Sequence, residues 1–335
     1  MIATPDHESK NQGELMTVTK SVLGGCFGAL AGLAMLSLGG QAASAQTYGL
    51  ATMQPGTLAH TVASAIAKTL KERGGLNTLV QNTAGESVLI PMVAKGEIDL
   101  GMANMLEVVE GIETGKLQND LRIIGSIYVL RMGFFARKDS GIVNMADVKG
   151  KRIPAGYSAM RTLDKNTQAI LATAGLSLND VKPVMVPNVL RGGDDFMAGA
   201  NDMFMFSFGG PKVREADATV GGVRAVKIGG NLAASRKIFP YGYFTEVKPI
   251  PAYVGVTEPM QVYAMDYILF TNSKMKDETV AKIIDTMANN KPDMVATAPA
   301  MNDFSIDTMY RKHTMTYHPG ALKYFQDHKI EAKAY

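Results

Sequence analysis

The sequence predicts an α/β protein of two lobes, each a mainly parallel sheet flanked by helices. Three observations carry that expectation. The chain has 335 residues, more than twice a domain of ~100–150 residues. Short apolar runs alternate with segments of helical period, and β-α-β-α order gives parallel strands joined by right-handed crossovers. The alternation occurs twice, with a second set beginning near Ile142.

In the first set, Tyr48 to Met53 reads as a strand and Gln54-Pro55-Gly56-Thr57 as a turn. Leu58, Val62, Ala65, Ile66 and Leu70 then share one helical face, ending near Gly74-Gly75. Leu79 to Asn82 is a second strand, Gly85-Glu86-Ser87 a turn, and Val88 to Lys95 a helix. Ile98 to Met102, Ile123 to Tyr128 and Met132 to Arg137 read as three further strands. In the second set, Met145 to Ile153 gives a short helix, a turn and a strand. Thr162 to Thr173 is a helix ended by Gly175, Val184 to Pro187 a strand, Leu190 to Ala198 a helix, and Met203 to Phe208 a strand. Val226 to Ile228 and the long apolar Tyr263 to Thr271 are strands, Asp277 to Asn289 is an amphipathic helix, and Ala321 to His328 is the last helix. The expected division is 46–138 for the first part of lobe 1, 139–255 for lobe 2, and 256–335 for the return to lobe 1 and the C-terminal helices. The chain then crosses between lobes near Arg137–Val143 and Tyr253–Gln261.

The first forty-five residues differ in kind. Lys20 precedes an apolar run from Val22 to Leu38, and a small-residue segment ends in Ala43-Ser44-Ala45. This is the pattern of an export signal with cleavage after Ala45, preceded by a polar extension in which Met16 is an alternative start. An uncleaved anchor, and lipid attachment at Leu23-Gly24-Gly25-Cys26, are weaker readings of the same segment. The chain's single cysteine is Cys26, so the mature chain has no thiol for a disulfide, a zinc site or a nucleophile. No later apolar run approaches the ~20 residues that span a bilayer, so the mature protein is expected not to cross the membrane. A net charge of +3 with 19% charged residues argues against a nucleic-acid partner, which requires a dense basic face.

Ligands of open α/β sheets lie beyond the carboxyl ends of the strands. Three turns stand there: Met53 to Thr57 with Gln54 and Gly56, Asn82 to Ser87 with Thr83, Gly85 and Glu86, and Gly156 to Thr162 with Tyr157, Ser158 and Arg161. Backbone N–H groups at a helix start form an anion site, although Thr57, Ser87 and Thr162 also suit ordinary caps. Arg161 is the sharpest candidate, since a guanidinium pairs with a carboxylate through two hydrogen bonds; a solvated surface arginine is the plainer reading. Arg131 between two apolar runs, Asn104 after the third strand, and Phe206 before Gly209 complete the candidate set, with cap and core roles as the alternatives for Asn104 and Phe206. No G-x-S-x-G, H-E-x-x-H or P-loop pattern occurs. His60, His313, His318 and His328 lack metal-ligand spacing. Neither catalysis nor a metal or cofactor is expected. Most of the twenty-two methionines read as core filler.

On these residues the chain resembles the TAXI family of solute receptors, the extracytoplasmic subunits of TRAP transporters. The landmarks are Met53 to Lys71, Gln81-Asn82-Thr83-Ala84-Gly85-Glu86-Ser87, Gly96-Glu97-Ile98-Asp99-Leu100 running on to Asn104, Asp147-Val148-Lys149-Gly150-Lys151-Arg152, and His318-Pro319-Gly320-Ala321. The resemblance implies a periplasmic binding protein of the Venus-flytrap kind. It would capture a small organic acid between its lobes and deliver it to a TRAP permease. Ligand contacts would come from Gln54–Thr57, Thr83–Ser87, Asn104, Gly156–Thr162 and Phe206–Gly210. A binding protein of an ABC importer, of the thiamine-precursor or sulfonate type, and a periplasmic enzyme on the same fold are the alternatives.

Overall fold

The computed structural model describes residues 46–115, 120–312 and 314–334. The expected export signal, its cleavage point, Cys26 and His313 lie outside them. The chain opens with β1 (Thr47–Met53), α1 (Leu58–Glu72), β2 (Asn77–Thr83), α2 (Glu86–Lys95), β3 (Leu100–Asn104) and α3 (Met105–Glu113). The three strands pair in parallel in the order β2-β1-β3. Burial follows the sequence pattern, with β1 buried from Tyr48 onward and α1 packing Val62, Ile66 and Leu70 inward. Thr57 caps α1 by accepting from the His60 N–H at 3.2 Å.

Next come β4 (Leu121–Arg137), β5 (Arg152–Ala155), α4 (Leu163–Ala172), β6 (Lys182–Met185), α5 (Val189–Met197), β7 (Met203–Ser207), α6 (Pro211–Val220), β8 (Val223–Ala225) and α7 (Leu232–Ile238). The chain finishes with β9 (Tyr243–Val247), β10 (Met260–Asn272), α8 (Asp277–Asn289), α9 (Lys291–Thr297), α10 (Ile306–Met309) and α11 (Pro319–Asp327). Eight strands form one mixed sheet along the path β2-β1-β3-β10-β4-β7, with β8 added on β4 and β9 on β10; β5 and β6 form a separate parallel pair. The α/β class expected from the sequence holds.

Two long strands organise the molecule. β4 has 17 residues, which at ~3.4 Å each run for roughly 55 Å. Leu121 to Met132 pairs with β10, and Met132 to Arg137 turns to β7 and β8. β10 pairs with β9 over Met260–Ala264 and with β3 over Tyr267–Thr271. The sequence suggests a break at Arg131, dividing β4 in two. The strand instead runs through, because the Arg131 guanidinium leaves the apolar face and meets Asp303 at 2.5 Å. Where β10 changes partners, buried Asp266 accepts from Ser126 Oγ at 2.7 Å and from the Tyr243 hydroxyl at 2.9 Å, so this interior carboxylate is hydrogen-bonded.

The core is continuous across the long strands. Phe135, Phe196, Phe204 and Phe208 pack as an aromatic group with centroids 4.8–5.6 Å apart in the contacting pairs. Met102, Met203, Met205, Met287, Met294 and Met301 are fully buried, as core-filling methionines should be.

Candidate ligand cavity

A cavity lies where the carboxyl ends of β1, β3 and β7 meet the flanks of β4 and β10. The space between its wall atoms is about 410 Å³ with open solvent included, and about 20 Å³ of it is room for the centre of a water-sized molecule. From the β1–β3 side its wall is Met53, Thr57, Leu58, Ala59, Glu86 and Asn104. The long strands supply Tyr128, Leu130, Met132, Met265 and Tyr267, and the far side supplies Met160, Leu163, Asn166, Val189, Phe206 and Ser207. The wall is mostly apolar with a few convergent polar groups, the usual make-up of a small-molecule site.

Among the described residues Glu86 is the one carboxylic acid in the wall, at the first turn of α2. It is fully buried. Its Oε1 accepts from the Asn104 backbone N–H at 3.1 Å, and its Oε2 accepts from the Asn104 side-chain amide. Burial, reinforced by the charge of Glu107, pushes its pKa up to about 7, against the downward pull of the Asn104 bonds. The Tyr267 hydroxyl lies beside this carboxyl but outside hydrogen-bond geometry, and Tyr128 is near it. Burial first, and then Glu86, raise both phenols well above their ordinary pKa. The hydroxyls of Tyr128 and Tyr267 and both amide atoms of Asn166 are buried without a hydrogen-bond partner. Each such group costs about 1–3 kcal/mol in an unfilled interior.

A second carboxylate holds the two sides of the cavity together. Glu107 stands in the first turn of α3, where the Asn104 side chain caps its N–H at 3.0 Å. Glu107 accepts from Ser87 Oγ, from Thr162 Oγ1, and from the Thr162 backbone N–H at 3.0 Å. Around it, Arg161 N–H donates to Ser87 Oγ at 3.0 Å, Ser87 N–H to the Ala159 carbonyl at 3.2 Å, and Lys165 pairs with Glu110 at 2.8 Å. Across the mouth, Asn188 Nδ2 donates to the Ala84 carbonyl at 3.3 Å and Lys212 N–H to the Gly56 carbonyl at 3.3 Å. These bonds join the two sides of the cavity.

Of the residues singled out from sequence, Thr57, Glu86, Asn104 and Phe206 line the cavity. Ser87, Arg161 and Thr162 line a neighbouring depression with Glu107 and Glu110. Arg161 is exposed there, and only its backbone makes the cross-cavity bond. Ser87 and Thr162 give their hydroxyls to Glu107 instead of capping their helices. Arg131 is taken by Asp303. Gln54 and Ser158 are exposed, and Tyr157 is buried. Thr83 donates to the Thr52 carbonyl at 3.2 Å. Gly56 and Gly209 hold left-handed turns at φ +94° and +79°, and Gly85 passes against the Ala159 carbonyl. Tyr128, Asn166, Tyr267 and Glu107 are absent from the sequence-based set. Only Glu107 leaves a local signal, three residues after Asn104 as in a helix cap.

The fold, a mixed sheet flanked by helices with a cavity at its strand ends, matches that of two-lobed periplasmic binding proteins. The chain matches the model of the NMT1-like family over residues 50–328, and it belongs to that family. Among solved structures it is similar to PhnD1 of Prochlorococcus marinus MIT 9301 in complex with methylphosphonate. The identity is 9%, the coverage 85% of this chain and 99% of that one, and the TM-score 0.55. It is also similar to the alkanesulfonate-binding protein SsuA of Xanthomonas axonopodis pv. citri bound to MOPS, at 16% identity, 78% and 81% coverage and TM-score 0.47. At these identities the likeness concerns the fold. The NMT1-like match replaces the TAXI assignment drawn from motif order, and with it the TRAP permease as the expected partner. No helix among the described residues is long and apolar enough to cross a membrane.

Proposed function

We propose that this chain is an extracytoplasmic solute-binding protein of the ABC-import type, which closes over one small molecule and presents it to an ATP-driven membrane importer. The observation that carries this is the cavity itself. It lies at the strand ends, contains unpartnered polar groups, and is sealed by hydrogen bonds between its two sides. The family supports it, and of the two similar structures one is named as an alkanesulfonate-binding protein and the other is in complex with methylphosphonate.

In this reading the lobes divide near residues 138 and 255, just beyond the end of β4, whose last residues pair with β7 and β8, and a few residues before the start of β10. Strands that serve both lobes allow a hinge by bending at the point where they change partners. The solute shifts the open–closed balance by its extra contacts with the closed form. The protein works outside the cytoplasm after removal of the segment ending at Ala45.

The test is a thermal-shift screen of the mature chain against small solutes, followed by small-angle scattering. A ligand at a hundred times its Kd stabilises the fold by about 2.7 kcal/mol. The reading expects a shifted melting point together with a smaller radius of gyration. Turnover of the bound compound would replace it with the enzyme alternative. For the partner, loaded protein added to the reconstituted ABC importer should accelerate ATP hydrolysis.

A further inference from the structure

We propose that the cavity takes a compact, largely apolar solute through a nitrogen-borne hydrogen-bond donor, with the Glu86 carboxyl as acceptor and the Asn166 amide as a second contact, and that it discriminates against oxyanions. The inference rests on the solute-receptor reading and names its substrate class.

The first argument is charge. Among the described residues no lysine, arginine or histidine lines the cavity. The two arginines best placed in sequence are committed elsewhere, Arg131 to Asp303 and Arg161 to the exposed outer depression. The acid in the wall is Glu86. An oxyanion brought to it meets like charge in a medium far less screening than water.

The second argument is that the chain's own side chains already fill the helix N-termini that would hold an anion. Helix starts attract negative charge through their unpaired N–H groups. Glu86 takes the Asn104 N–H at the start of α3, Glu107 takes the Thr162 N–H at the start of α4, and Thr57 caps α1.

The third argument is what stays open. Each carboxylate oxygen accepts along two directions. Asn104 uses one on each oxygen of Glu86, so the remaining directions can accept from a ligand. On the α4 wall, Asn166 is wholly buried and has neither amide atom paired. A buried amide in that state awaits a partner. The surface between these two poles is apolar, with Met132, Met265 and Phe206 able to adapt to or stack on a flat body.

The experiment is calorimetric titration of the mature protein at pH 8 with six probes on one ring body. Benzylamine, 2-aminopyridine and benzamide carry N–H donors; benzoate, benzenesulfonate and phenylphosphonate are the oxyanions. The donors should bind at least tenfold more tightly. Glu86→Gln should weaken benzylamine at least tenfold and benzamide by a smaller factor, because glutamine keeps one carbonyl acceptor and loses the negative charge that favours the ammonium group. Asn166→Leu should weaken all three donors. Oxyanions binding as well as donors, or Glu86→Gln leaving benzylamine unchanged, would overturn the substrate class while the receptor reading stands. If no probe binds, the solute released on denaturing protein from its native host is identified by mass spectrometry. A nitrogen donor there supports the inference and an oxyanion overturns it. An empty protein overturns the receptor reading and the inference together.

Discussion

Replacing Glu86 by glutamine should change how stability depends on pH. The ordinary pKa of this carboxyl is 4.5, and in the folded protein it is pushed up to about 7. Burial is the largest cause, followed by the charge of Glu107 on α3. Tyr267 on β10 and Tyr128 on β4 also face it and are neutral throughout this range. The sign follows from proton counting. Between pH 4.5 and 7 the folded chain keeps a proton that the unfolded chain has lost, so raising the pH favours unfolding. The slope is about 1.4 kcal/mol per pH unit, and the full loss across that window is about 3 kcal/mol. Below 4.5 and above 7 the contribution is flat. Glutamine has no such proton. Relative to the native chain, Glu86→Gln should therefore gain about 3 kcal/mol in stability as pH rises from 4.5 to above 7. Urea unfolding followed by circular dichroism, run on both proteins from pH 5 to 8, measures this. Taking the difference cancels His60 and His318, whose burial lowers their pKa and gives slopes of opposite sign. A difference that stays constant within about 1 kcal/mol over that range would refute the assignment of a buried, proton-holding Glu86.

Three further substitutions separate closure from folding. A Cβ at Gly85 would lie 2.1 Å from the Ala159 carbonyl oxygen and 2.7 Å from Met160 Cγ, while its extended φ of 172° suits alanine. Gly85→Ala should weaken ligand binding at least tenfold, about 1.4 kcal/mol, with the ligand-free melting temperature little changed. Glu107→Gln places an amide N–H against donors from Ser87 or Thr162, at a cost of about 1–3 kcal/mol. Scattering should show a more open ligand-free protein. Arg161→Ala should alter affinity less than twofold, since the bond to Ser87 Oγ comes from the backbone; a larger loss would return the arginine to the ligand.

The site was legible in the sequence where topology alone locates it. Turns at the carboxyl ends of strands led to Thr57, Glu86 and Asn104 without knowledge of the ligand. Direction was not legible. Arg161 has the strongest chemistry of its turn, yet the turn aims its side chain to solvent. Tyr128 and Tyr267 stand in apolar runs and read as core, and their rings do stack at 5.0 Å; both also line the cavity. Asn166 looks like a polar residue on an exposed helix face. Glu107 was missed because α3 begins directly at the end of β3, with Asn104 as both the last strand residue and the cap. A polar residue within a strand also misled. Arg131 reads as a break, although a long side chain can leave an apolar strand for a partner such as Asp303.

The motifs behind the family resemblance explain why motif order could not name the ligand. In Gly96-Glu97-Ile98-Asp99-Leu100, Asp99 accepts from the Gly49 N–H at 2.8 Å and ties β1 to the approach of β3. In Asp147-Val148-Lys149-Gly150, Asp147 accepts from the N–H groups of Val143 and Asn144 at 3.0 and 2.8 Å, and Gly150 turns at φ +73°. In His318-Pro319-Gly320-Ala321, His318 bonds to the Met275 carbonyl and the Gly320 N–H, while Gly320 packs where a Cβ would lie 2.5 Å from the Asp277 carbonyl oxygen. These three motifs hold the scaffold and none of the residues just named lines the cavity, whereas the landmarks Met53 to Lys71, Gln81 to Ser87 and the run to Asn104 do supply wall residues, Thr57, Glu86 and Asn104 among them. Such motifs persist for as long as the fold does, whichever solute it carries, so they report architecture. In the proposed reading specificity rests on groups such as Glu86, Tyr128, Asn166 and Tyr267, which are far apart in sequence and meet in the cavity only through the fold.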